Sequence, residues 1–208
     1  RGEFTAHVLS GFGIKNIDII GCPSVFFQCD PGFKISKQPN LKSEHRSIFH
    51  CTPVGYYRDS VSNLFSLGRS TCEAYVAQSE QLLFGLNSDN EQEIAETDYF
   101  FRYFAHSHED YIANLAWFRS HTKWFFKLEE WLMYMGNMDF AFGTRFHGNM
   151  AAIVMGVPAL NLVFDTRTKE LVEYLNLPYL NFAEVNPSTT IHDLFDASDF
   201  EIFNKTYP

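Results

Sequence analysis

Apolar residues in this chain come in short runs, separated by polar stretches rich in glycine and proline. The runs at residues 17–20, 47–51, 74–77, 123–126, 140–142 and 159–163 are too short for helices and apolar on both parities. All read as strands, and those at 140–142 and 159–163 as buried ones. A further short run lies at 179–182. Between them the apolar spacing becomes helical: at 4–9, at 57–71 (Val61, Leu64, Phe65, Leu67), at 80–86, from Ile94, at 128–135, from about Phe146, at 169–175, at 191–195 and at 200–204. Pro31, Gly32 and Pro39 mark 30–43 as loop, and 87–93 is polar and loop-like. Residues 98–123 are aromatic-rich and fit neither period cleanly. There is no internal repeat. Strands alternating with helices predict one α/β domain, residues 1–208, around a mainly parallel sheet.

One stretch, "DFAFGTRFHGNMAAIVMGVPALNL" at 139–162, reads as strand, turn, small-residue helix and strand. In parallel sheets, ligands bind beyond the C-terminal ends of strands. The turn at such an end carries Gly143, Thr144, Arg145 and His147. A guanidinium beside a helix N-terminus suits a carboxylate or phosphate, and His147 is placed to act as general acid or base. Gly143 and Gly148 would let a ligand approach the backbone. The structural alternative is that Arg145 pairs with a carboxylate such as Asp139 while His147 packs the helix. Thr144 and Asn149 would orient ligand or cap the helix.

Composition narrows the function classes. A net charge of −9 argues against nucleic acid as a partner. No stretch has the roughly 18 apolar residues of a membrane span. The four cysteines, Cys22, Cys29, Cys51 and Cys72, lack C-x-x-C spacing and read as reduced thiols, which suits a cytoplasmic protein. Cys22, in "GCPS", sits where a nucleophile would, without a histidine nearby in sequence. His106, His108, Glu109 and Asp110 have the composition of a metal site but a polar setting, and they read as solvated surface. Aromatics at Tyr111, Trp117, Phe118, Trp124, Phe125 and Phe126 would stack on sugars or fill a core. The chain starts at Arg1 without Met, and both ends read as cuts within a larger protein.

The segment "MDFAFGTRFHGNMAAIVMGVPALNLVFDTRTKELVEYLNLP" resembles the C-terminal part of the polysaccharide pyruvyl transferase family, with its G-T-R-x-H turn, G-V-P strand entry and L-x-L-P helix end. "RGEFTAHVLSGFGIKNIDIIGCPSVF" resembles the same family's earlier R-x-E/D-x-[ST] helix and G-[CD]-P turn. The resemblance implies a Rossmann-like domain like the C-terminal half of a GT-B glycosyltransferase. It implies transfer of pyruvyl from phosphoenolpyruvate to a sugar of a cell-surface polysaccharide or its lipid-linked precursor, as a ketal, with no cofactor and no metal. The enzyme would be cytoplasmic or at the inner face of the membrane. His147 would move protons, while Arg145, Arg1, Arg167, Thr144 and Gly143 would hold substrate. Family members often carry lysine where this chain has Arg167; arginine still binds phosphate but donates no proton at neutral pH. An isolated half is expected to bind donor without turnover. Two alternatives stand beside this: a GT-B glycosyltransferase using a nucleotide sugar, and a non-catalytic anion-binding domain.

Overall fold

A computed structural model of the protein describes residues 2–78 and 80–207. Six of the apolar runs become β1 (Ser47–His50), β2 (Ala74–Ala77), β3 (Thr122–Trp124), β4 (Phe140–Gly143), β5 (Ala159–Val163) and β6 (Tyr179–Asn181). Of these, β1, β2, β4 and β5 are buried throughout, while the edge strands β3 and β6 are partly exposed. They form a six-stranded sheet in the order β3-β2-β1-β4-β5-β6, with every neighbouring pair parallel. This is the Rossmann strand order, and its direction of growth reverses between β1 and β4. The helices are α1 (Glu3–Gly11), α2 (Arg58–Thr71), α3 (Glu91–Tyr103), α4 (His108–His121), α5 (Leu128–Met135), α6 (Phe146–Ile153), α7 (Thr166–Tyr174), α8 (Ile191–Asp196) and α9 (Glu201–Thr206).

Strand side chains alternate between two cores. Phe49, Tyr75, Phe140, Phe142, Leu160 and Leu162 face the layer that includes α2, α3, α4 and α8. There Phe49 touches the rings of Phe65, Tyr75, Trp117, Phe118 and Phe142. The opposite face shows Ile48, Ala74, Val76, Ala141 and Ala159 to α5, α6, α7 and α9. Small residues on β4 and β5 meet the small residues of α6, Ala151 and Ala152, so this helix lies close to the sheet. Ala152 is fully buried. Ala152→Leu is therefore expected to cost about 1–3 kcal/mol by overpacking, read as a lowered denaturation midpoint.

Three expectations change. Residues 17–20 are not a strand: they pass outside the sheet with Ile20 exposed, and Ile19 O accepts from the Tyr174 hydroxyl (2.5 Å). Residues 81–86 form a 3-10 turn rather than a full helix. The aromatic stretch resolves into α3 and α4, capped by Asn90 and Ser107, whose side chains accept backbone N–H bonds of the first turn. α4 contacts α2, α3 and β2, so apolar residues lie on more than one of its faces and the helical period is blurred.

Candidate active site

β1 and β4 end side by side, His50 in register with Gly143. At this reversal of strand order a parallel sheet opens a crevice beyond its C-terminal edge. Gly143 has φ +150°, and a Cβ there would sit 1.9 Å from the His50 carbonyl oxygen. A Cβ on Gly148 would lie 2.5 Å from the His50 ring. The space at both glycines is thus taken by His50, where the sequence suggested an approaching ligand. Thr144 is buried and ties the strand ends together. Its N–H donates to His50 O (3.2 Å), and its Oγ1 accepts from Thr52 N–H (2.6 Å).

His50 heads a polar chain through the core. Arg145 N–H donates to its Nδ1 (3.2 Å), which places the ring proton on Nε2. Nε2 then donates to Asn149 Oδ1 (3.1 Å). The Asn149 amide donates to Gly143 O and Asn161 Oδ1 (both 3.0 Å), and Asn161 donates to Pro178 O (3.2 Å). Burial foremost, with the Arg145 charge beside it, pushes the His50 pKa down to about 3. The imidazole is neutral, as its accepting Nδ1 requires.

Arg145 precedes α6 and turns its guanidinium to Glu80, with Nε 2.6 Å from Oε1. Nε also lies 3.3 Å from Cys51 O. Glu80 is buried and held by Gln78 N–H (2.6 Å) and the Tyr75 hydroxyl (3.1 Å). The carboxylate beside Arg145 is therefore Glu80; Asp139 instead accepts from Arg46 N–H (2.8 Å) and pairs with Lys42 (3.6 Å).

His147 lies in the first turn of α6, whose N-terminus no side chain caps. The fold brings Cys22 to it, Sγ 3.5 Å from Nε2, with Ser24 Oγ 3.0 Å from the same sulfur. Partial burial and then the positive charge of Arg167 lower the His147 pKa. Arg167, exposed at the start of α7, is 3.8 Å from Asp165. Arg145, His147 and Arg167 thus share one edge of the sheet with the uncapped helix start. Arg1 lies outside the described residues. From the same early motif, Thr5 donates to both Glu170 oxygens of α7 through its N–H (2.7 Å) and Oγ1 (2.9 Å).

Most of the other candidates serve the fold, including Phe125, which packs against the second core, whereas Phe126 is exposed. Tyr111 and Phe118 are buried, and Trp117 and Trp124 pack against the same core. His106 bonds Asn63 (2.9 Å), and Asp110 pairs with Arg69 (2.9 Å). Reading from sequence missed His50, Glu80 and Asn161. Asn161 and His50 did leave a signal, since each is a polar residue within a buried strand run. Glu80 left none, because its partner lies far along the chain.

The family model for polysaccharide pyruvyl transferase matches residues 1–166. The chain belongs to that family. Both turns, G-C-P at 21–23 and G-T-R-F-H at 143–147, fall within the match, and Arg167 is the first residue past it. No curated protein matches the chain. Among the described residues, no helix is long and apolar enough to cross a membrane.

Proposed function

We propose that this protein transfers a pyruvyl group from phosphoenolpyruvate to a sugar of a cell-surface polysaccharide, closing a ketal across two hydroxyls. The observation that supports this most is that Arg145, His147 and Arg167 share the C-terminal edge of the sheet with an uncapped helix N-terminus at its reversal point. The donor carries a carboxylate and a phosphate, so it needs more than one cationic or N–H anchor. Glu80 holds the Arg145 guanidinium in one orientation.

The chemistry requires two proton movements. One sugar hydroxyl adds to the enol carbon as the methylene gains a proton and becomes methyl. The second hydroxyl then displaces phosphate and gives up its own proton. Because its pKa is lowered, His147 is mostly neutral at neutral pH and takes the hydroxyl proton. The six-stranded sheet would be one Rossmann-like half of a GT-B-type enzyme. The nucleotide-sugar alternative has less support: the turn after β1, Cys51-Thr52-Pro53-Val54-Gly55, holds a single glycine and no G-x-G-x-x-G cradle.

Calorimetric titration with phosphoenolpyruvate tests the donor site. Arg145→Ala is expected to weaken binding by about 1.5–3 kcal/mol, the worth of a charge-assisted hydrogen bond. Arg145→Lys keeps a charge for Glu80 but loses the planar fork, and it should fall between. Equal affinity in all three proteins would remove Arg145 from the site.

A further inference from the structure

We propose that the cavity at the C-terminal ends of β5 and β6 holds the ring of the sugar acceptor. The cavity has a volume of about 220 Å³, and its lining includes Tyr57, Phe164, Asp165, Lys169, Tyr179 and Asn181. The acceptor role rests on the pyruvyl transfer reading, whereas sugar binding in the cavity does not depend on it.

The lining matches the two-sided chemistry of a pyranose. A sugar ring presents C–H groups on its faces and hydroxyls around its rim, so it wants aromatic surface with polar side chains at the edge. Tyr57 supplies a ring already fixed in place, packed on Phe164 (centroids 6.2 Å apart) and on Phe182 (5.7 Å). Tyr179 is 37% exposed on edge strand β6, and its hydroxyl is anchored to Glu173 (3.0 Å). Rings held this way lose little freedom when a ligand stacks on them.

The polar groups select further. Asp165 spends Oδ1 on the N-cap of α7, accepting from Thr168 N–H (2.5 Å), while its Oδ2 lies 3.8 Å from Arg167. Asn181 Oδ1 accepts from Ala183 N–H (3.0 Å), which leaves its amide NH₂ as donor. Lys169 adds a cation, held 3.8 Å from Glu173. A carboxylate in the lining disfavours an anionic ligand, and mixed donors and acceptors suit hydroxyls. Asp165 also connects the cavity to the reaction. It neighbours Arg167, whose charge acts on His147, so a ring held here lies on the same edge of the sheet as the proposed base.

The test uses the full-length protein with methyl β-D-galactopyranoside and methyl β-D-glucopyranoside as probes. In saturation-transfer NMR, ring-face protons of at least one probe should receive magnetisation from the protein's aromatic side chains. Tyr179→Leu should weaken that probe's Kd by about 2- to 10-fold, the usual range for one aromatic contact. Asn181→Ala should weaken it as well. Both side chains are exposed on an edge strand, so the core stays intact, and circular dichroism confirms folding. Phosphoenolpyruvate affinity, measured by calorimetry, should be the same in parent and variants. No transfer to either sugar overturns the proposal, as does transfer unchanged in both variants or displacement of the sugar by uridine diphosphate. Sugar binding that depends on Tyr179, without any phosphoenolpyruvate binding, upholds the cavity and defeats the donor reading. The reverse result defeats the cavity and leaves the donor reading standing.

Discussion

His147→Asn is expected to slow pyruvyl transfer by the full-length enzyme by about 10²–10⁴-fold, with phosphoenolpyruvate binding nearly unchanged. The substitution removes the exposed imidazole in the first turn of α6 and leaves buried His50, Arg145 and its carboxylate partner Glu80 in place. The pH profile adds an independent check. Burial and Arg167 both hold His147 below the usual histidine range, so the neutral form dominates at neutral pH. Turnover should then fall as pH drops through that lowered pKa. Arg167→Gln removes the repelling charge and should move this acid limb to higher pH. Single-turnover rates across the pH range read both effects. Parent-like turnover in His147→Asn would make the imidazole a structural partner of Cys22 and nothing more.

The second large effect concerns stability in acid. His50 is fully buried and neutral, its pKa near 3 in the folded protein against about 6.5 when unfolded. As pH falls below about 6.5, the unfolded chain takes up a proton that the folded chain refuses. Stability is therefore full above that pH and is lost progressively toward pH 3, with a slope approaching about 1.4 kcal/mol per pH unit. Urea midpoints between pH 7 and 5, above most carboxylate titrations, should show this loss. His45 and His147, whose pKa values are also lowered, add to it in the same direction. His50→Gln keeps a donor for Asn149 but cannot titrate, so it is less stable at pH 7 and has a flatter profile. An equal slope in parent and variant would mean that His50 is not the group being protonated.

How much of this was legible in the sequence depends on the range of the interaction. β5 and α5 follow the apolar pattern to the residue, because a strand buried on both faces and an amphipathic helix each carry their signal locally. The G-T-R-F-H turn was legible for the same reason: strand, turn and helix are adjacent in the chain. Residues 17–20 look like a strand locally, yet the sheet has its six members without them, and pairing is a long-range event. α3 and α4 were hidden because aromatic residues lie on more than one helix face.

By itself, then, the sequence determined the α/β alternation, the parallel character of the sheet, the family, and a candidate turn holding Arg145 and His147. Only the tertiary structure decided what that turn touches. Glu80 as the partner of Arg145, Cys22 beside His147, and His50 filling the space at Gly143 and Gly148 each join residues far apart in the chain. Local pattern records which side chains leave water. Which two of them meet is set by strand order, and here the reversal between β1 and β4 brings His50 against the turn.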